Sequence, residues 1–330
     1  MTFSPNKNSD FSSLSDEGVK DLLWDLYEEE LEPRELLNID PDITFGIEIE
    51  FEGMKKEDID DFLMDFSEHS SLKKWFPHRE PHLQPDTSES HFPLSRQYGY
   101  EVSSPILKDK LKTWKELREC LNIIKKYGDS YERCGGHVHV GYNVLERNKT
   151  YWRNFFLLWA TYEDVIYRFG YNFKDKLRDC ASIFARSMKE EFSKYYLMSL
   201  ENSDFDIFKV VENNPFLFIK NSGVNLGNIN NKKEKQTIEF RNSNGTIDEV
   251  VWQNNVLLYT KLLSYAASNW FDYYTVRDEW LSEEENSEHL RDVKALQLAD
   301  LILDNDLDKS YFLKQYFNHR TSFGEKVKRK

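Results

Sequence analysis

Residues 46–52 read GIEIEFE, and this strict alternation of apolar and acidic side chains limits the possible folds more than any other feature of the chain. The acidic positions are Glu48, Glu50 and Glu52. Alternation with a period of two predicts a β-strand that is buried on one face. Successive glutamates would lie about 7 Å apart on such a strand, and two of these charges repel by about 2 kcal/mol at an effective dielectric near 20. The acidic face therefore needs a partner that compensates its charge.

Three later segments repeat this design, with an apolar back and an ionisable front. The front pairs are Glu101 with Ser103, His137 with His139, and Glu239 with Arg241. If the four strands join in one sheet, their fronts line a single surface that carries carboxylates, imidazoles and a guanidinium. Helices would cover the apolar backs. The pattern therefore predicts an α+β fold.

Clustered carboxylates and imidazoles indicate a divalent cation. Carboxylate oxygens are hard ligands and favour Mg²⁺ or Mn²⁺. A cation that binds through a few carboxylates and keeps several waters usually also binds substrate phosphates. Arg241 can clamp a phosphate oxygen, and Gly135 and Gly136 allow a ligand to approach the backbone closely. We therefore expect metal-dependent phosphate chemistry on this surface.

Each motif alone also has a plainer interpretation. A single Glu-x-Glu pattern is usually a solvated strand edge, and Glu-Phe-Arg can be a surface ion pair. Cys134 with His137 and His139 could hold zinc, although the paired cysteines of structural zinc motifs are absent from this segment. Cys134 could also act as a nucleophile with a histidine base. The order and common spacing of the four motifs favour the cation site.

Composition limits which partners the protein is expected to bind and in which cellular compartment it is expected to work. The chain has 330 residues and a formal net charge of −14, so a nucleic acid is not its expected partner. Three cysteines do not make a disulfide framework. The first residues contain no apolar signal region, and the longest strongly apolar run, FFLLWA, is too short to cross a bilayer. We expect a protein of the reducing cytoplasm without a membrane partner.

The chain is expected to divide at residue 40. Residues 1–40 are predicted to form an N-terminal extension with one acidic amphipathic helix at 15–31, and residues 41–330 to form the catalytic domain. The helix either packs on that domain or docks a partner. The five C-terminal residues form a basic tail that we expect to be solvated.

Several further segments have a helical spacing of apolar residues. Helices are predicted at 54–66, at 149–169 and between 248 and about 317. Ser104 and Pro105 predict the N-cap and first residue of another helix that ends near Lys126. Residues 67–95, rich in His, Pro and Ser, are expected to be irregular.

The four strand motifs, taken in order, resemble the amidoligase family of carboxylate–amine ligases. The matching segments are FGIEIEFE, YEVSSPIL, CGGHVHVG and TIEFRNSNGT, and DTSES at 86–90 resembles the family's Asp-x-Ser element. The resemblance covers about residues 43–255. This family is related in fold to glutamine synthetase and glutamate–cysteine ligase. The resemblance implies an antiparallel sheet that forms a funnel, helices on its outer face, and ATP and Mg²⁺ as cofactors.

The resemblance also implies roles for individual residues. The implied metal ligands are Glu48, Glu50, Glu101, His137 and Glu239. The implied nucleotide contacts are His139, Arg241, Ser103 and Gly136. The implied catalytic residues are Arg241, which contacts the transferred phosphoryl group, with Glu50 and His139. The roles of the two histidines can be exchanged.

Three residues beside this set carry further expectations. Glu52 has no counterpart in the family, and we expect it at the rim of the site in solvent. Either Arg178 or Arg186 is expected to hold the substrate carboxylate.

The implied reaction has two steps. ATP phosphorylates a substrate carboxylate, and an amine then expels phosphate and leaves an amide or isopeptide bond. The carboxylate is expected on an amino acid, a peptide or a protein side chain; the sequence nominates no base. One alternative is a Mg²⁺- and ATP-dependent phosphotransferase of the guanidino-kinase type. Another is an inactive domain of the same fold that binds a peptide.

Overall fold

The computed structural model describes residues 31–83, 98–172, 177–178, 181–189, 206–213, 221–229, 236–282 and 288–317. Three predicted features lie outside these ranges: nearly all of the helix at 15–31, the DTSES segment and the basic tail. In the part of the chain that is described, no helix is long and apolar enough to span a membrane.

The described strands form one antiparallel sheet. The strands are β1 (Phe45–Met54), β2 (Phe76–Arg79), β3 (Tyr98–Ser103), β4 (Gly135–Gly141), β5 (Val224–Asn225) and β6 (Thr237–Asn244). Their order across the sheet is β2-β3-β1-β4-β6-β5. The four motif strands are the central ones, so the predicted joining of their fronts in one sheet is confirmed. With the helices below, the predicted α+β class is confirmed as well.

The register of the central strands aligns their polar side chains. The cross-strand pairs are Glu48–Ser103, Glu50–Glu101, Glu48–His137 and His139–Glu239. Residues directly opposite each other in an antiparallel pair share a face. The ionisable side chains therefore lie together on one face, which we call the front face, and the apolar side chains lie on the back face.

Helices cover the back face. They include α2 (Leu111–Tyr127), which contacts β1, α3 (Lys149–Phe169), which contacts β6, and α6 (Glu249–Ala266), which contacts β4. Phe240 of β6 lies between Trp159 of α3 and Tyr259 of α6, at ring-centroid distances of 5.6 and 4.2 Å. Such aromatic pairs contribute about 0.5–1.5 kcal/mol each beyond the area they bury. The core on this face holds the front face in position.

The remaining described helices complete the domain. They are α1 (Ile59–Glu68), α4 (Ala181–Phe184), α5 (Ile207–Asn213), α7 (Tyr273–Leu281), α8 (Glu288–Ile302) and α9 (Asp306–Phe317). The last three pack against α3. The helix predicted at 149–169 and the helical character after residue 248 are confirmed. Local capping explains the sharp starts of α3 and α6, because Asn148 and Asp248 accept hydrogen bonds from the first backbone N–H groups of each helix.

Two local predictions are wrong. Ser104 does not cap a helix: its Oγ accepts from the N–H of Ile47, and Leu107 still pairs with Phe45, so the chain remains beside β1 and α2 begins only at Leu111. The segment 67–95 is not wholly irregular, because residues 76–79 form the edge strand β2. Tertiary pairing overrides the local signal in both places.

The end of the predicted extension packs on the same core. Leu37 and Ile39 are buried, and their N–H groups donate to the carboxylate of Asp109. Arg34 forms an ion pair with Asp308 of α9. Residues 31–40 therefore belong physically to the body of the domain, while the boundary at residue 40 stays a prediction.

Candidate functional site

The centre of the front face is Glu48, which lies between the two histidines of β4. His139 Nε2 is 3.0 Å from Glu48 Oε1, and His137 Nδ1 is 3.3 Å from Oε2. Burial raises the pKa of Glu48, but hydrogen bonds with both histidines outweigh burial and hold this pKa far below its usual value. Thr237 lies 3.2 Å from His139 Nδ1 and orients that ring. Glu48 is therefore ionised and presented between two imidazoles.

Glu50 is more buried than Glu48 and lies close to more groups. Its Oε1 lies 3.5 Å from His137 Nε2, and its Oε2 accepts from the N–H of Gly135. Oε2 also lies 3.4 Å from His82 Nε2 and 3.8 Å from Arg178 Nη1. Burial raises the pKa of Glu50, but the His82 hydrogen bond and the nearby positive charges lower it more strongly. The carboxylate therefore stays charged although it is buried.

The third carboxylate is Glu239 on β6. It forms an ion pair with Arg241, and Asn225 Nδ2 donates to its Oε2 at 2.6 Å. Burial raises the pKa of Glu239, but the charges of His139, Arg241 and His137 lower it below its usual value. Glu239 Oε1 is also 3.9 Å from His137 Nδ1. The carboxylates of β1 and β6 thus share the same imidazoles.

Three groups in the described residues bring possible metal-ligand atoms within 4.8 Å of one another. They are Glu48 with His139 and Glu239, Glu48 with Glu101 and His137, and His78 with Glu80 and Glu101. The first two contain four of the five predicted ligands and, in addition, His139. Glu50, the fifth, belongs to none of the three groups, although its Oε1 lies 3.5 Å from His137 Nε2. Its role as a ligand stays a prediction.

Sequence reasoning missed the acidic and histidine residues of β2 and the turn after it. His82 Nδ1 lies 2.7 Å from Glu80 Oε1, and hydrogen bonds to Glu50 and Glu80 overcome the effect of burial and raise the pKa of His82 to about 9. His78 Nε2 lies 3.2 Å from Glu101 Oε1, and this bond raises the pKa of His78. The signal was present, because HREPH at 78–82 has the same two-residue spacing as the other motifs, but Pro77 and Pro81 obscured it.

Of the two arginines expected to hold substrate, the structure brings Arg178 to the front face. Its guanidinium is buried beside Glu50, and its Nη2 donates to the carbonyl of Arg241 at 3.0 Å. The side chain of Arg186 is exposed, and its backbone pairs with residues 221–223.

Two predicted nucleotide contacts have clear positions. Ser103 Oγ donates to Glu101 Oε1 at 3.2 Å on the front face. Gly136 faces the back, where an added β-carbon would lie 2.9 Å from the carbonyl oxygen of Asn244 and 3.0 Å from the ring of Trp252. Close packing against the neighbouring strand and α6, not an approaching ligand, explains the glycine at 136. Any cofactor contact of Gly136 is limited to its backbone, and both roles stay predictions.

The prediction for Glu52 is wrong. This side chain is buried, not solvated, because it forms an ion pair with Arg133. Cys134 is also buried, and within the described residues it belongs to none of the three groups of ligand atoms.

A cavity of about 450 Å³ opens beside Glu48 and His139 at one end of the front face. It is lined by Thr44, Phe45, Gly46, Ile47, Glu48, Ser104, Pro105, Ile106, His139, Gln236 and Thr237. Its volume is in the usual range for small-molecule and cofactor sites, about 300–1,000 Å³. The cavity therefore combines apolar walls with a carboxylate and an imidazole at one side.

Comparison with known proteins gives one match. A family model described as "Putative amidoligase enzyme" matches residues 41–263, more than half of the chain, and includes all four motif strands. No curated protein matches the chain, and no solved structure does.

Proposed function

The chain belongs to the amidoligase family, and from this premise we propose that it is an ATP- and Mg²⁺-dependent carboxylate–amine ligase. Such an enzyme forms an amide or isopeptide bond through an acyl phosphate. One observation carries the proposal. Four neighbouring strands bring carboxylates, imidazoles and a guanidinium together on one face, beside a cavity of about 450 Å³.

The donor atoms suit Mg²⁺ or Mn²⁺. The groups Glu48–His139–Glu239 and Glu48–Glu101–His137 each combine two carboxylates with one imidazole. These residues would hold the metals, and Glu50 would join them after releasing its present partners. When bound, the cations neutralise phosphate charge and align the reacting groups. Mutual repulsion among the carboxylates is the physical reason for expecting cations here.

The cavity supports a position for the nucleotide. It adjoins Glu48 and His139, and its walls include Pro105 and the exposed side chain of Ile106. We place the adenine against these apolar walls and the phosphates toward His139 and Arg241. Gln236 at the cavity wall offers amide groups to a base edge.

The opposite end of the front face, near β2 and β3, then receives the substrate carboxylate. This arrangement corresponds to the glutamine-synthetase-like funnel implied by the resemblance, with the sheet as its wall. The proposed substrates are amino acids, peptides or protein side chains, with an amine as co-substrate. Docking of a partner through the N-terminal helix stays part of the proposal.

The chain's own residues have separable tasks in this reaction. Arg241 stabilises charge on the group in transfer, and Glu239 holds its guanidinium in place. His139 is oriented by Thr237 and faces the phosphate end of the cavity. Glu50 lies between the β4 histidines and the substrate end. Deep burial of these groups strengthens each electrostatic interaction.

The test is a screen of amino acids and peptides for ATP-dependent phosphate release, with mass spectrometry of the products. We expect ADP and phosphate to accumulate only when a carboxylate and an amine are both present. The product mass should equal the two substrates minus one water. Arg241→Gln should abolish the reaction while the protein stays folded, and Arg277→Gln, which removes a partly exposed arginine on α7, should leave it unchanged.

The alternatives give different products. A guanidino-kinase-type enzyme would yield a stable phosphorylated amine without a second substrate. An inactive peptide-binding domain would bind neither Mg²⁺ nor ATP. Either result would refute the ligase assignment.

A further inference from the structure

Arg178 is a buried cation that lies against a carboxylate expected to bind metal. Its side chain is 2% exposed and that of Glu50 is 3% exposed, and Nη1 is 3.8 Å from Glu50 Oε2. Taking a guanidinium out of water costs several kcal/mol unless it is paired. Glu50 provides that pairing, so the carboxylate and the guanidinium compensate each other.

Neighbouring residues hold the Arg178 guanidinium in a fixed position. At Gly135 an added β-carbon would lie 1.3 Å from Arg178 Nη1, so the guanidinium occupies the space that any other residue would fill with a side chain. The backbone N–H of Arg178 donates to Asn244 Oδ1 at 2.7 Å, and its side-chain Nη2 donates to the carbonyl of Arg241 at 3.0 Å. Asn172 in turn donates to the carbonyl of Asn244.

Because Arg178 lies against Glu50, metal binding at Glu50 would change the charges around its guanidinium. A divalent cation that takes Glu50 as a ligand removes the negative charge that Arg178 faces. The metal and the guanidinium then repel each other, since like charges a few ångströms apart interact strongly at low local dielectric. The guanidinium can therefore exchange Glu50 for an anion that arrives at the substrate end, while Nη2 keeps its bond to the carbonyl of Arg241. Guanidinium binds carboxylate and phosphate groups in two-point geometry.

We propose that Arg178 is a counter-cation which the metal displaces from Glu50, and which then binds an anionic group of the substrate. This inference rests on the proposed function, because it needs a metal at Glu50. It adds that metal and anion bind cooperatively through one side chain. Linkage requires the effect to be reciprocal, so each ligand tightens the other.

The experiment measures Mn²⁺ binding to the full-length, metal-free protein by electron paramagnetic resonance, with and without sulfate as the anion probe at constant ionic strength. The variants are Arg178→Met, which removes the charge, and Arg178→Lys, which keeps it. Arg277→Met is the matched control, since it removes an arginine of the exposed pair with Asp278. Circular dichroism confirms that each variant is folded.

We expect Arg178→Met to bind Mn²⁺ about tenfold more tightly than the parent, because the competing cation is gone. The Arg277 control should bind like the parent, and Arg178→Lys, which keeps the charge, should bind Mn²⁺ less tightly than Arg178→Met. Sulfate should tighten Mn²⁺ binding to the parent and lose this effect in Arg178→Met. If Arg178→Met does not fold, Arg178→Gln takes its place with the same expected result.

Other outcomes would overturn the inference in distinguishable ways. Equal or weaker Mn²⁺ binding by Arg178→Met would show that the arginine does not compete with the metal. Sulfate effects that are unchanged in Arg178→Met, or absent in the parent, would refute its role as the anion contact. Failure of the parent to bind Mn²⁺ at all would refute the proposed function itself, and the inference with it.

Discussion

Glu50 and Glu52 lie two residues apart on β1, and both are 2% exposed, but they are compensated by different groups. Glu50 faces His137, His82 and Arg178 in the centre of the front face. Glu52 forms an ion pair with Arg133 from the segment before β4. Two equivalent positions in the alternating pattern therefore have different tasks: the first belongs to the proposed chemistry and the second to the stability of the sheet.

This difference predicts separate effects on metal binding. Glu50→Gln should weaken Mg²⁺ or Mn²⁺ binding by at least about tenfold, since losing even an outer partner of a ligand costs about 10–100-fold. Glu52→Gln is the matched control and should leave metal affinity unchanged, because its side chain faces Arg133. Isothermal titration of the metal-free proteins measures both. Equal losses in the two variants would contradict the assignment of Glu50.

The Glu52–Arg133 pair predicts a loss of stability without a loss of metal binding. Arg133→Ala leaves the buried Glu52 carboxylate unpaired, and removing one partner of such a pair costs about 3–5 kcal/mol when both are fully buried. Because Arg133 is 34% exposed, water can compensate in part, and we expect about 2 kcal/mol. Urea unfolding measures this change. An unaltered free energy of unfolding would show that solvent already screens the pair.

The raised pKa of His82 predicts that the stability of the metal-free protein depends on pH. Its pKa rises from the ordinary 6.5 to about 9 in the folded state, since Glu50 and Glu80 bind the protonated ring. A raised folded pKa stabilises the protein fully below pH 6.5, and this contribution is lost as the pH rises through 9. The free energy of unfolding, measured with a chelator present, should therefore fall between these pH values by up to about 3 kcal/mol.

The control for this prediction is His82→Gln, which cannot titrate. Its stability should be lower than that of the parent at pH 6 and should fall less steeply across the same interval, where His78, whose pKa is also raised, still titrates. Saturating Mg²⁺ should also flatten the slope of the parent, because a metal at Glu50 removes the charge that His82 faces. A parent slope that persists in His82→Gln would assign the titration to another group.

Replacing Gly53, near the end of the alternating strand β1, should destabilise the protein through its backbone conformation. Its φ of +102° lies in the region that favours glycine, at the register shift between Phe51 and Met54. An added β-carbon would also lie 3.1 Å from the ring of Tyr131. Gly53→Ala should therefore destabilise the protein by about 1–3 kcal/mol in thermal or urea unfolding.

Gly46→Ala is the matched control on the same strand. The nearest atoms to its added β-carbon are 3.7 Å away, an ordinary contact, and its φ is not in the positive region. The change in unfolding free energy should stay below about 1 kcal/mol. Similar losses at both glycines would show that strand propensity, not the positive φ, sets the penalty.

The sequence alone determined the sheet centre and most of the candidate site. Alternation at 46–52 and its three repeats fixed which side chains face the front, because side-chain direction in a strand has a period of two. Strand order and register, which the sequence leaves open, then bring Glu48, His137 and Glu239 together. The long helix at 149–169 was also predictable, since its apolar stripe and its Asn148 cap are local features.

Only the tertiary structure decided which residues complete that face. Arg178 reaches Glu50 from a segment with no strand periodicity, and it can do so only because Gly135 leaves space for its guanidinium. His82 reaches the same carboxylate from a turn bounded by prolines. Glu52 is buried because Arg133 meets it from another part of the chain. Periodicity reports the direction of a side chain, whereas its charge partner depends on contacts between distant segments that no local pattern encodes.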